Sequence, residues 1–92
     1  MGMKKTLLIV EDNLILCDIL ERWLQKAGYG VLTAIDEPSA RRKIKGNNVA
    51  LVLTDVRLPE GDGISLLEWS ISQGLHIPVS YTHLRAHETL RH

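Results

Sequence analysis

The chain has 92 residues, which is enough for one domain at most. Hydrophobic residues make up 45% and charged residues 24%, as in an ordinary globular protein, and 11 basic side chains balance 11 acidic ones. This balance argues against binding to nucleic acid or membranes through bulk charge. A single cysteine, Cys17, excludes an internal disulfide, and no apolar stretch reaches the ~20 residues that span a bilayer. We therefore predict a cytoplasmic location.

The first predicted element is a buried strand, residues 7–10 (Leu-Leu-Ile-Val), which ends directly before Glu11 and Asp12. Asp12 or Asn13 can cap the helix that follows, because both side chains accept backbone N–H bonds. Apolar residues then recur at helical spacing over residues 14–26, up to a stop at residues 27–28 (Ala-Gly). These features predict a strand followed by an amphipathic helix.

The pattern then repeats. Residues 29–34 are predicted to form a second strand, and residues 36–38 (Asp-Glu-Pro) open a second helix that runs to about Lys45. Residues 49–54 read as a third buried strand, which ends directly before Asp55. We expect the basic residues of the second helix, residues 41–43 and Lys45, to form a solvated face.

A loop with one proline and two glycines, residues 56–63, leads to a third predicted helix over residues 64–72. We interpret Pro59 and Gly63 as turn formers. Residues 77–79 (Ile-Pro-Val) are predicted to enter a fourth strand. The alternation of strands and helices predicts an α/β fold with a parallel sheet and right-handed crossovers. We expect Trp23 and Trp69 to pack in the core or half-buried.

The composition changes abruptly after Val79, in a strand that should stay hydrophobic. We therefore predict two parts: residues 1–79 form a partial domain, and residues 80–92 form a tail that is non-native or disordered. His83, His87 and His92 could suggest zinc binding, but they lack a cysteine or a well-placed acid, and we treat them as tail composition.

Glu11, Asp12 and Asp55 follow the first and third predicted strands. Because ligands of open parallel sheets bind outside the carboxyl ends of the strands, we expect the three carboxylates at one functional edge. Crowded carboxylates repel one another unless a cation joins them, and carboxylate oxygens suit a hard cation such as Mg²⁺. The sequence therefore predicts an acidic metal-binding pocket that contains Asp55.

Four motifs in order carry a resemblance to a known family: residues 8–12 (Leu-Ile-Val-Glu-Asp), 54–59 (Thr-Asp-Val-Arg-Leu-Pro), 62–63 (Asp-Gly) and 77–79. Over about residues 4–79 the chain resembles the receiver domain of response regulators in two-component signalling. The resemblance implies a flavodoxin-like, doubly wound parallel sheet. It is expected to be incomplete here, with about four strands and three helices, and with the fifth strand and last helix missing.

The resemblance also implies the function and the site. The residue matching Asp55 accepts a phosphoryl group from a phosphohistidine on a sensor histidine kinase or phosphotransfer protein. The residues matching Glu11, Asp12 and Asp55 hold Mg²⁺, together with the backbone carbonyl at the position of Arg57. The motif around Asp55 is similar to receivers attached to AAA+ transcription activators, which implies an effector domain in the parent protein. We expect no direct nucleic-acid or membrane binding by this chain.

Two departures from the family pattern concern switching. The family has Ser or Thr where this chain has His83, and Thr82 stands one residue early. The family's lysine at the end of the fifth strand has no counterpart. We therefore expect metal binding to survive and switching to be lost. The alternatives are a truncated non-switching fragment, a Mg²⁺-binding interaction module, or a phosphatase of the haloacid dehalogenase type. That phosphatase needs a second aspartate where Arg57 stands.

Overall fold

The computed structural model describes residues 4–82, in which strands and helices alternate along the chain. The strands are β1 (Thr6–Val10), β2 (Gly30–Ala34), β3 (Val49–Thr54) and β4 (Val79–Tyr81). The helices are α1 (Leu14–Lys26), α2 (Glu37–Gly46) and α3 (Gly63–Ser72). None of these helices combines the length and the apolar character that crossing a membrane requires.

The four strands form one parallel sheet in the order β2-β1-β3-β4. This is the strand order of a flavodoxin-like doubly wound sheet, so the predicted α/β fold with four strands and three helices is confirmed for the described residues. The register pairs Val10 with both Ala34 and Thr54, so the carboxyl ends of the three strands are level. The residues that follow β1 and β3 therefore meet at one edge.

The core lies between the sheet and the two helices α2 and α3. Its fully buried side chains include Leu8 and Val52 from the sheet and Leu66 from α3. Ala40 and Ile44 from α2 complete the same cluster, so α2 and α3 cover one face together. Because side chains alternate across a strand, the neighbouring strand residues point to the opposite face, where α1 lies.

The opposite face has less cover among residues 4–82. A groove of about 450 Å³ runs beside α1, lined by apolar side chains of the sheet such as Leu51 and Leu53 and by Leu24 of α1. Cys17 is buried on α1, whereas Ile15 and Trp23 are exposed. The prediction for Trp23 is wrong, since 67% of its surface is accessible, while Trp69 is half-buried as predicted. Within the described residues, the main contacts of α1 are with β1 and β2, and Trp23 lies on the face of α1 that these contacts leave accessible.

Residues 77–79 lead into the fourth strand as predicted, since β4 begins at Val79. It spans Val79–Tyr81, and Ser80 and Tyr81 pair with Leu53 and Thr54 of β3. The polar Ser80 is tolerated there because a parallel ladder uses backbone groups, and its side chain is exposed. The predicted division at residue 79 therefore falls inside this strand. The character of residues 80–92 stays a prediction, and His83, His87 and His92 lie outside the described residues.

Candidate functional site

The site begins with backbone bonds that extend the sheet by one residue. The Asp55 amide donates to the Val10 carbonyl (3.0 Å), and the Glu11 amide donates to the Ala34 carbonyl (2.9 Å). Glu11 and Asp55 are therefore held beside each other by the ladder itself. Their adjacency is a direct consequence of pairing β1 with β3 in this register.

Three carboxylates converge at this edge. One oxygen from each of Glu11, Asp12 and Asp55 lies within 4.8 Å of the other two. Glu11 is almost fully buried, Asp55 is half-buried and Asp12 is exposed, so the cluster opens to solvent on the Asp12 side. At an effective dielectric constant of about 20, two unit charges at this spacing repel by roughly 3 kcal/mol. A hard divalent cation relieves that repulsion, and its preferred ligands are oxygens of this kind.

The junction between β1 and α1 is held by local hydrogen bonds. The Asn13 side-chain oxygen accepts from the amides of Ile15 and Leu16, both at 3.1 Å, so Asn13 rather than Asp12 is the N-cap of α1. The Asn13 amide donates to the Glu11 carboxylate at 3.2 Å. Capping by Asn13 thus leaves Asp12 to the acidic cluster.

The connection between β3 and α3, residues 55–62, carries the second acidic position. The Arg57 amide donates to Oδ1 of Asp55 (3.3 Å), and Arg57 forms an antiparallel bridge with Asp62. The Thr54 hydroxyl donates to the Asp55 carbonyl at 2.8 Å. The Arg57 side chain is exposed, as expected for a loop residue. The role of its carbonyl as a metal ligand stays a prediction.

Gly63 has a different role from the predicted turn former. It is the first residue of α3, and its φ is not positive. A Cβ at this position would lie 2.7 Å from the Asp55 carbonyl oxygen, 2.8 Å from Cγ2 of Thr54 and 3.1 Å from the Tyr81 ring. Only a residue without a side chain lets α3 start this close to the end of β3. Glycine is required here because α3 packs so close to β3, and not because the chain turns at this position.

Burial and charge perturb two further groups near the site. Burial raises the pKa of the Cys17 thiol, and the nearby charges of Glu21, Glu11 and Asp18 raise it further. Burial likewise raises the pKa of Tyr81, with a smaller contribution from Asp62. Both shifts favour the neutral forms of the Cys17 thiol and the Tyr81 hydroxyl over their anions. Cys17 is therefore expected to be an inert helix residue.

One residue with a link to the site escaped sequence reasoning. Glu37 opens α2 and is buried, yet its side chain hydrogen-bonds to residues 62 and 65, which follow β3. In the sequence it looks like an ordinary acidic residue at a helix start. The only local signal is Arg41, four residues later, at the spacing of a helical ion pair.

Comparison with known proteins identifies the family. The sequence profile described as "Response regulator receiver domain" matches residues 7–89. The chain belongs to the response regulator receiver domain family. Such a domain is a signalling module that is not usually classed as an enzyme, and it implies a kinase partner. The acidic cluster stands at the position expected for a receiver, and it is consistent with a receiver magnesium site.

Curated relatives are longer chains. The receiver is 34% identical over 77 residues to the alkaline phosphatase synthesis transcriptional regulatory protein PhoP of Bacillus subtilis, covering 84% of this chain and 32% of that protein. It is 31% identical over 75 residues to the Regulator of RpoS of Escherichia coli, covering 82% of this chain and 22% of that protein. The chain thus spans about a third or less of these relatives. Several relatives are named as transcriptional regulators.

Solved structures agree on the fold. The non-phosphorylated HemR receiver domain from Leptospira biflexa is 31% identical with a TM-score of 0.78, covering 85% of this chain and 63% of that one. The MaeR response regulator bound to beryllium trifluoride is 25% identical with a TM-score of 0.77, covering 88% of this chain and 70% of that one. The doubly wound receiver fold is therefore shown for this chain.

Proposed function

We propose that this receiver takes a phosphoryl group onto the Asp55 carboxylate, with Mg²⁺ held by Glu11, Asp12, Asp55 and the backbone carbonyl of Arg57. The observation that carries the proposal is the convergence of three carboxylate oxygens within 4.8 Å at the carboxyl edge of the sheet. Asp55 lies on the loop beside β3, half-buried and flanked by both other acids. It is the carboxylate of the cluster that an incoming phosphoryl donor would meet in the family's arrangement.

The transfer step is a displacement at phosphorus. The P–N bond of a phosphohistidine on a sensor kinase or phosphotransfer protein breaks, and an O–P bond to an Asp55 carboxylate oxygen forms. The leaving imidazole retains the electron pair of the broken bond and takes up a proton. The transferred phosphoryl group brings negative charge to a site that already holds three carboxylates. The protein must therefore position the reacting groups and offset this charge.

The residues present fit a magnesium ion. The donors are hard oxygen atoms, and the cluster is open on the Asp12 side, which suits an ion that keeps several waters. When bound, Mg²⁺ supplies charge stabilisation for the transferred phosphoryl group. The Arg57 amide at 3.3 Å from Asp55 Oδ1 supports the orientation of that carboxylate within the loop.

For the parent protein, we propose a transcriptional regulator in the cytoplasm, with an effector domain beyond this chain. The support is the naming of relatives as transcriptional regulators and the short share of their length that this chain matches. This chain by itself is proposed to bind no nucleic acid or membrane. The sequence-based proposal divides the chain into a partial receiver, residues 1–79, and a tail, residues 80–92, and β4 crosses this boundary as far as Tyr81.

The test of Asp55 is the intact mass of the chain after exposure to acetyl phosphate. We expect a gain of one phosphoryl group in the presence of Mg²⁺, and none in EDTA or in Asp55→Asn. Glu60→Gln is the matched control, because Glu60 is an exposed acid of the same loop outside the carboxylate cluster. No added mass in the folded wild type, or added mass that persists in Asp55→Asn, contradicts the phosphoacceptor role.

The metal is tested by the melting temperature with and without Mg²⁺. A ligand that binds only the folded state adds about 2.7 kcal/mol of stability at a hundred times its Kd, so melting should rise with Mg²⁺. Asp12→Asn should blunt the rise and Glu60→Gln should keep it. A rise of equal size in Asp12→Asn places the ion elsewhere. If Mg²⁺ raises the melting temperature but Asp55 is not phosphorylated, the alternative function, a magnesium-binding interaction module, is favoured.

We also propose that phosphorylation does not switch this chain, because His83 stands at the family's Ser or Thr position. The Thr82 amide donates to the Thr54 carbonyl at 2.9 Å, so Thr82 is the residue beside the end of β3. Hydrogen exchange of residues 79–82 with and without beryllium fluoride tests this proposal. We expect residues 79–82 to be equally protected with and without beryllium fluoride. A difference in protection between the two samples contradicts the proposal.

A further inference from the structure

Glu37 is a buried carboxylate that joins α2 to the connection between β3 and α3. Only 5% of its surface is accessible. Oε1 accepts from the Asp62 amide at 3.1 Å, and Oε2 accepts from the Ser65 hydroxyl at 3.2 Å. Its own amide donates to the Glu60 carbonyl at 3.0 Å. Both its backbone and its side chain therefore bind the segment that follows Asp55.

The charge of Glu37 is compensated within α2. Nε of Arg41 donates to Oε2 at 2.9 Å, and the terminal guanidinium nitrogen NH2 forms a second bond to the same oxygen. The guanidinium also stacks over the ring of Trp69, 5.1 Å from its centroid. An acid this buried is costly unless it is paired and hydrogen-bonded, and Glu37 is both. The carboxylate is thus a fixed anchor rather than a mobile surface group.

Gly61 is shaped for this anchor. Its φ is +82°, a conformation that other residues rarely adopt, and an added Cβ would overlap the Glu37 side chain. The backbone of the loop therefore lies too close to the Glu37 side chain to leave room for a Cβ at residue 61. Gly61 and Glu37 form one contact that depends on both residues.

The contact leads to the acidic cluster in two steps. Asp62, whose amide Glu37 holds, forms the antiparallel bridge with Arg57. Arg57 in turn donates its amide to Oδ1 of Asp55. The first step is a backbone bridge and the second joins a backbone amide to the Asp55 side chain, so a displacement at Asp62 is transmitted to the residue that orients Asp55.

We infer that Glu37 is a positioning residue for the phosphoryl-accepting site. Its carboxylate holds residues 57–62 in the conformation that orients Asp55 and presents the Arg57 carbonyl to the metal. This inference rests on the proposed function of Asp55. Glu37 touches neither the phosphoryl group nor the metal, and it acts through the loop.

The experiment compares Glu37→Gln with wild type in two measurements on the same 92-residue chain. The glutamine keeps the size of the side chain but cannot accept from both Arg41 and Asp62 as the carboxylate does. We expect the initial rate of Asp55 phosphorylation by acetyl phosphate, at subsaturating Mg²⁺, to fall about tenfold, the lower end of the usual cost of losing a supporting residue. Raising Mg²⁺ should recover part of the rate.

Ile44→Val is the matched control for stability. Ile44 is a buried residue of α2 that belongs to the core cluster and makes no contact with the loop through a polar group. It should lower the melting temperature without changing the rate or its dependence on Mg²⁺. A merely structural role for Glu37 predicts equal behaviour of the two variants when they are compared well below their melting temperatures.

The second measurement is amide hydrogen exchange, which needs no phosphorylation. In Glu37→Gln we expect protection of the Arg57 and Asp62 amides to fall about tenfold, with the α1 amides unchanged. Unchanged protection, or a wild-type rate, overturns the positioning role while the proposed function stands. If the wild type itself accepts no phosphoryl group, the proposed function fails, and the exchange data decide whether Glu37 positions the loop.

Discussion

The two segments that supply the acidic cluster are held in different ways. The segment after β1 is short: the Glu11 amide continues the sheet to the Ala34 carbonyl, and Asn13 adds local bonds by capping α1 and donating its amide to Glu11. The segment after β3 is longer, and it is bound by the side chain of Glu37, the first residue of α2. The sheet ladder holds both acids, but a local cap supports the segment that contains Glu11, whereas a distant side chain supports the segment that contains Asp55. We therefore expect that substitutions in α2, which is distant from Asp55 in sequence, can disturb Asp55 and leave Glu11 in place.

The largest effect is expected at Gly63, where the longer segment meets the sheet. Gly63→Ala should destabilise the fold by up to about 3 kcal/mol, because the new methyl group would overpack against the Asp55 carbonyl and Thr54. Urea denaturation measures the loss. Gly46→Ala is the control, since Gly46 at the end of α2 has open space around it and no positive φ. Equal midpoints for the two variants would show that α3 can shift away without cost.

The next effect concerns the ion pair that supports the same segment. Arg41→Met should cost about 2 kcal/mol, since Glu37 then keeps its buried charge with fewer donors. Lys45→Met is the control, because Lys45 is exposed and its contact with the Trp69 ring is longer, at 5.9 Å. Thermal melting of both variants tests the difference. A larger loss in Lys45→Met would mean that the Trp69 ring, rather than Glu37, is what the cations stabilise.

A smaller effect is expected at the shorter segment. Asn13→Ala removes the two cap bonds to Ile15 and Leu16 and should destabilise the fold by about 1 kcal/mol. Asn13→Ser keeps a capping oxygen and should recover most of that loss. Denaturation with urea reads both variants. If alanine and serine behave alike, the cap contributes little, and the contrast between a locally held and a distantly held segment weakens.

The smallest effect is the reactivity of Cys17, which lies in α1 behind the shorter segment. Burial first, then the charges of Glu21, Glu11 and Asp18, raise the pKa of its thiol. The pH at which iodoacetamide labelling reaches half its maximal rate should be higher in the folded chain than in urea. The neutral thiol favours folding below the unfolded pKa, and this contribution is lost as pH rises through the folded pKa. An equal or lower midpoint in the folded chain would contradict the shift.

Much of the fold could be predicted from local pattern. Apolar runs that end at Glu11 and Asp55, with amphipathic segments between them, indicated parallel strands whose carboxyl ends share an edge. The register that pairs Val10 with Thr54 then brings the acids together, as expected. The motifs around them also led to the receiver family, which the match over residues 7–89 confirms. These features were predictable because a strand, a cap and a short motif depend on residues close in sequence.

Other features followed only from the tertiary structure. Trp23 carries the helical spacing of a core residue, yet it is exposed, because burial depends on which elements pack over a helix. Gly63 looks like a turn glycine, but its reason is the closeness of β3 and the Tyr81 ring. Glu37 lies 25 residues before Asp62, and no local pattern links the two. The elements, their order and the acids of the site were thus readable from local sequence. The support of the Asp55 loop by α2 was not, because contacts between distant residues form only when the chain folds.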